Sequence, residues 1–311
     1  MKKSKKSIKT KISASGPIAR KIIKLMKMHE KSKIIDLQAV KAANKSAEEY
    51  QKSVLSIEQL QTHDSLTAMY INSQNHLSVL VEMFAEFPNF KNLIKRNLKA
   101  EDKYMPSYPP MSPVTNSHFF CWSIFDLMTG GAKKESFCTV VIDYCKSINF
   151  DAMQIEIYEI FQQSYAGIYI QEGFDETFVY LREIITNKKI TTKVASQYTG
   201  NTGDVWYARV LPPLFGLYDY SVVFGTPYIL SNHLSSNIED EWLNYFKRQL
   251  SISSNINTGK SYQEFMKFGK NDDFWMEYIT LAYLGFTSES ISLGGIPDIP
   301  SSLPLGHLAN W

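Results

Sequence analysis

Residues 166–230 read AGIYIQEGFDETFVYLREIITNKKITTKVASQYTGNTGDVWYARVLPPLFGLYDYSVVFGTPYIL. β-branched and aromatic residues dominate the stretch, and turn residues interrupt it at short intervals, as strands with tight connections require. The spacing predicts strands over 166–171, 177–186, 189–195, 205–211 and 218–224. In the second, Phe178, Tyr180 and Arg182 alternate with Val179, Leu181 and Glu183, the period of two expected when one face is buried. Asn187–Lys188 supplies a tight turn and residues 200–204 a loop. Pro212–Pro213 ends the fourth strand, because proline cannot donate to a ladder, and residues 225–227 end the fifth. Five short strands in this order predict an antiparallel meander that curls into a small barrel.

Almost everything outside this stretch reads as helix. Ile18, Ile22, Leu25 and Met26 recur at helical spacing among lysines. Ser46 with Glu49 forms a capping-box pattern, and Asp64 and Asp151 are placed to cap later helices. Leu77, Leu80, Val81 and Phe84 make a clear apolar stripe, as do Phe120, Ile124, Phe125 and Met128 in an apolar run stopped by Gly130–Gly131. Residues 104–117 carry four prolines and predict an extended connector. After the barrel, Ile238, Trp242, Tyr245 and Phe246, then Trp275, Tyr278, Ile279 and Ala282, mark two more amphipathic helices. The end is Pro- and Gly-rich, with Leu303, Leu305, Leu308 and Trp311 suited to docking.

The expected fold class is therefore α+β: a mostly helical body with a small five-stranded antiparallel barrel at about 166–230. In strand count and spacing this stretch resembles SH3-like small barrels, a resemblance of pattern confined to these residues. The expected organisation is a basic arm and first helix (1–33), a helical region (34–165), the barrel (166–232) and C-terminal helices with a Pro-rich tail packing on the helical region (233–311).

Net charge is +2, but residues 1–33 hold 12 Lys/Arg against Glu30 alone, a balance of +11 on a body of −9. Lys2, Lys3, Lys5, Lys6, Lys9 and Lys11 form an arm that nucleic acid or another polyanion would attract, or that simply solubilises the chain. No aromatic residue interleaves these bases, so a stacking platform for single strands is not expected. No apolar run has the length of a membrane span, and none follows the basic start as a secretory leader would require. Three cysteines suit free thiols in a reducing compartment, so the cytoplasm is expected.

The chemistry-bearing patterns are few. Gly259–Lys260–Ser261 resembles the end of a phosphate-binding loop, yet the required upstream glycine is Ser254. His118, Cys121, Cys138 and Cys145 are zinc-ligand types, but six residues separate the last two cysteines and all four lie in apolar, helix-like sequence. His118 and Cys121 are spaced to touch on a helix, but an apolar setting would raise the thiol pKa. No metal site and no cofactor is expected. Arg209, inside the apolar run WYARVLPP, is the least comfortable residue: if buried it needs a carboxylate, either as a register-fixing ion pair or displaced by a ligand. Arg182, Tyr207, Tyr218, Tyr220 and His233 complete the candidate binding set, the tyrosines as a recognition groove. The expected function is a non-catalytic interaction or regulatory protein using the barrel, the Pro-rich segments or the basic arm. The alternatives are a nucleic-acid-associated defence or toxin–antitoxin component, and an enzyme with a site at the barrel–helix junction.

Overall fold

The structure, a computed structural model, describes residues 15–31, 62–85, 87–105, 112–129, 134–214, 216–231, 237–250 and 258–306. The run VWYARVL forms the strand on which the sheet branches. The strands are β1 (Ala166–Phe174), β2 (Val179–Glu183), β3 (Lys189–Val194), β4 (Val205–Leu211), β5 (Ser221–Val223), β6 (Tyr228–Ser231), β7 (Tyr283–Phe286) and β8 (Ile291–Gly294). Along one edge β4 pairs with β1, from Val205↔Ile170 to Arg209↔Ala166. Its other edge is divided: residues 205–207 pair with β6 and residues 210–211 with β5. The ring β1-β2-β3-β5-β4 closes through the β1–β4 pairing, giving the five-stranded barrel.

One expectation is corrected. The barrel is mixed, because β3 and β5 run parallel from Thr192↔Ser221 to Val194↔Val223. Closure itself demands this: strand direction cannot alternate all the way round a ring with an odd number of members. The sheet also extends beyond the barrel as β6, β8 and β7, with β6 and β8 parallel.

Before the barrel lie α1 (Pro17–Lys31), α2 (Ser65–Ala85), α3 (Lys91–Tyr104), α4 (Asn116–Cys121), α5 (Phe137–Ser147) and α6 (Ala152–Gln163). After it come α7 (Ile238–Leu250), α8 (Thr258–Phe268) and α9 (Phe274–Ala282). Asp64 and Asp151 cap α2 and α6 through the amides of Thr67 and Gln154. The capping-box pair Ser46 and Glu49, His233, the arm lysines 2, 3, 5, 6, 9 and 11, and Leu308 and Trp311 lie outside the described residues. No helix among the described residues is long and apolar enough to cross a membrane.

The barrel wall is half covered. In β4, Trp206 and Ala208 point into the barrel and pack with Tyr169, Val179, Leu181 and Val223. Their neighbours Val205 and Tyr207 point outward under α7, α8 and α9, while Leu211 meets the N-terminal helices. Burial on both faces explains why the strand reads as a nearly continuous apolar run. In contrast, β2 keeps a strict alternation, with Val179, Leu181 and Glu183 inside and Tyr180 and Arg182 outside. On its outer face Tyr180 is exposed, while Arg182 reaches Glu239 of α7.

α1 docks on the body by its start. Glu135, itself buried, accepts the amides of Ile18 (2.9 Å) and Ala19 (3.0 Å), so a carboxylate meets the positive end of the helix dipole. Ala19 and Ile22 are buried, and Arg20, Lys21, Lys24 and Lys27 stay exposed. Charge-assisted hydrogen bonds of this kind contribute about 1.5–3 kcal/mol. Glu135→Ala should therefore lower unfolding free energy by about 2 kcal/mol, read by urea titration. Hydrogen exchange should quicken selectively in α1.

Candidate functional site

Arg209 is buried, and it has company. Its Nη2 donates to Asp126 Oδ2 and its Nη1 to Ser164 Oγ (2.8 Å), while the guanidinium lies 5.6 Å from the Phe125 ring. The other Asp126 oxygen accepts from Lys267 Nζ at 2.9 Å. Lys267 also donates to the carbonyls of Gln162 (2.5 Å) and Ser164 (2.8 Å), just where α6 ends. Asp126 reaches this position because α4 continues into a single π turn, Trp122–Asp126, which rotates the carboxylate into the core. Two cations thus face one carboxylate plus the carbonyl end of a helix, which carries partial negative charge. Burial pushes the Lys267 pKa down, and Asp126 opposes that shift.

Burial holds the thiols around this cluster in the protonated form. The Cys121 thiol is pushed up to about 12 and that of Cys145 to about 11, both chiefly by burial. Cys138 is also raised by burial and donates to the Tyr158 carbonyl. His118 packs its ring against Tyr207 and Tyr228, with centroids 5.7 and 5.1 Å away. Among the described residues no group of three or more His, Cys, Asp or Glu is placed to hold a metal ion. Gly259–Lys260–Ser261 sits in the first turn of α8.

The sequence-predicted tyrosines separate into two places. Tyr207 is buried, stacked on Trp275 at 5.6 Å, on the covered side of the barrel. Tyr218 and Tyr220 come together at 5.7 Å, half-buried beside the start of α2. Arg182 also faces outward, bound to Glu172 and, across to α7, Glu239, both at 2.8 Å. As a partly exposed network it contributes little stability, but it fixes α7 beside β2.

The open wall holds residues that the alternation in β2 exposes. Phe178 and Tyr180 share the outer side of β2, and Tyr180 is 38% exposed. Lys193 on β3 lies 5.6 Å from the Phe178 ring and 4.9 Å from that of Tyr220. Phe178 and Tyr220 are themselves 5.5 Å apart. Tyr220 donates to Asp64 at 2.7 Å, tying the strip to the start of α2. Burial raises the Asp64 pKa, but hydrogen bonds from Thr67 and Tyr220 outweigh it and hold the carboxyl below its ordinary value. A cleft of about 480 Å³ runs beside this strip, lined by Asp64, Asp175, Glu176, Phe178, Lys193 and Tyr198. Sequence reasoning named Tyr218 and Tyr220 but passed over Phe178, Tyr180 and Lys193, although the alternation in 177–186 already places the first two on one face.

Searches of protein-family models, curated proteins and solved structures found no match to this chain.

The charge cluster has a measurable signature. Burial, then the Arg209 charge, pushes His118 down to about 3, with Asp126 opposing. The unfolded chain takes up that proton near pH 6.5, whereas the fold resists it until about 3. The stabilisation is therefore complete above pH 6.5 and is lost as pH falls towards 3. One such proton gives a limiting slope of about 1.4 kcal/mol per pH unit. His118 is half-buried as a residue, so the observed slope falls short of that limit. Urea unfolding from pH 7 to 4 should show the loss, and His118→Phe should flatten it.

Proposed function

We propose that the chain is a non-catalytic binding protein that holds a protein partner on the open wall of the barrel. The observation that carries this reading is the aromatic strip on the outer β2–β3 wall: Tyr180 is exposed, and half-buried Phe178 and Tyr220 flank Lys193 beside the cleft. Exposed aromatic groups beside a cleft are characteristic of contact surfaces, and clustered aromatic residues commonly dominate binding energy. The barrel–helix junction favours binding over catalysis, because Arg209 is consumed in a buried ion pair and the nearby thiols are protonated. The compartment that fits free thiols is the cytoplasm. The test is affinity capture from extracts of the source cells. A partner retained near one-to-one by the wild type should fall at least about tenfold with Phe178→Ser/Tyr180→Ser. Equal retention by a variant of unchanged circular dichroism and melting temperature would count against the wall.

A second reading has its own observation. The exposed Arg20, Lys21, Lys24 and Lys27 of α1 form a basic ridge and supply four of the twelve bases of the +11 segment. Such a ridge suits nucleic-acid phosphates. Binding to a mixed-sequence duplex should then weaken steeply with salt, and Lys21→Gln/Lys24→Gln/Lys27→Gln should reduce the logarithmic slope by roughly 2–3. A slope unchanged by these substitutions rejects the ridge.

A further inference from the structure

Three carboxylates are buried among the described residues: Asp126, Glu135 and Glu183. Asp126 has Arg209 and Lys267. Glu135 has the amides at the positive end of α1. Glu183 is 4% exposed, and no cation among the described residues pairs with it. It accepts from Tyr165 Oη at 2.6 Å and from Thr186 Oγ1, both neutral. Burial, then the Glu183 charge, raises the Tyr165 pKa, so the phenol keeps its proton and remains the donor.

Glu183 sits across from Tyr169 in the β1–β2 ladder, on the inner side of the barrel wall at one of its ends. Both line a cleft of about 310 Å³ formed with Ser164, Tyr165, Ser221 and Gln263. This end of the barrel is distinct from the aromatic strip, and the inference does not rest on that surface. A buried carboxylate is costly without a positive partner, because neutral donors replace only part of its lost hydration. Tyr165, which meets the carboxylate through its hydroxyl, and Tyr169 line the same cleft, and aromatic rings attract cations. Lys188 stands at the rim, exposed and without an ion pair to Glu183.

We propose that this cleft binds a primary ammonium group, with Glu183 as its counter-ion and Tyr165 and Tyr169 as its aromatic walls. The ammonium belongs either to a small free amine or to a lysine side chain of a partner. The cleft holds a group of that size and not a folded segment.

The test uses the purified full chain. Titration calorimetry and thermal unfolding are run with n-butylammonium chloride, with Nα-acetyl-lysine methylamide and with n-butanol as the uncharged control. Saturable binding of an ammonium probe is expected, with a melting-temperature rise of roughly 2 °C at ten times Kd. Preference for butylammonium identifies a free amine as the source. Preference for the lysine derivative identifies a partner side chain. Glu183→Gln should weaken binding about tenfold to a hundredfold. That variant disturbs a buried acceptor, so a second is made at an exposed site. Gln263→Lys on α8, next to Tyr165, places an ammonium at the mouth. It should raise the melting temperature and abolish the response to added amine. The proposal is overturned if no probe binds better than butanol, if Glu183→Gln binds amine as the wild type does, or if Gln263→Lys keeps full amine binding.

Discussion

Asp126 is the group on which the assembly of this chain turns. It takes a hydrogen bond from Arg209 in the fourth strand and another from Lys267 in the eighth helix. Its own position comes from the helical segment before the barrel. One carboxylate therefore joins the N-terminal helices, the barrel and the C-terminal helices. Ions taken out of water cost several kcal/mol each, so the value of the cluster lies in specificity rather than in net stability. A register slip of one residue in β4 would turn Arg209 into the barrel and Trp206 out of it, leaving Asp126 buried against the wrong face. The cluster makes that slip expensive. It also explains the extra cation: Lys267 satisfies the carbonyls of Gln162 and Ser164, so the positive excess is absorbed by the end of the sixth helix.

The same arrangement decides which surfaces stay open. Because the ion cluster and the rings around Tyr207 clamp helices onto β1 and β4, that side of the barrel is interior. On the β2 side, Tyr180 and Phe174 remain exposed among the described residues. The five-stranded barrel thus turns its β1–β4 side towards the helices. The strands that would most tempt a sequence reader, with Tyr207 and Arg209, are the most enclosed.

Much of the fold was legible, and for identifiable reasons. Val205–Leu211 was legible to the residue, because proline stops it and aspartate precedes it. The position of Arg209 in an apolar run implied burial, and burial implied a carboxylate. Which carboxylate was hidden, because Asp126 lies in the run HFFCWSIFDLM and a regular helix would have put Phe120, Ile124, Phe125 and Met128 on one face. The π turn breaks that phase: Phe125 is fully buried while Phe120 and Met128 are only partly so. No local residue signals such an insertion. The parallel β3–β5 pair needed no local signal, only the parity of a closed ring, and expecting an antiparallel barrel of five overlooked it. β7 and β8 escaped because they are four residues each, lie among Gly and Ser, and pair with a sheet more than fifty residues earlier.

The open wall differs from an ordinary solvated face in how firmly it is held. Lys193 is half-buried with its ammonium over the rings of Phe178 and Tyr220, so that surface is not free to rearrange. Tyr220 is anchored in turn by Asp64, which already caps the second helix, and Tyr218 packs on Tyr220 and reaches Met69 of that helix. The strip therefore inherits the rigidity of a helix start and a barrel wall at once. Ordering side chains on binding costs about 0.5–1.5 kcal/mol for each one immobilised. Groups already held in place escape most of that cost. Preorganisation of aromatic rings at a water-facing surface gives no advantage to folding, since the same rings would be better buried. It does favour association, and this asymmetry is the physical ground for proposing a binding surface here rather than among the more aromatic but enclosed residues on the other side of the barrel.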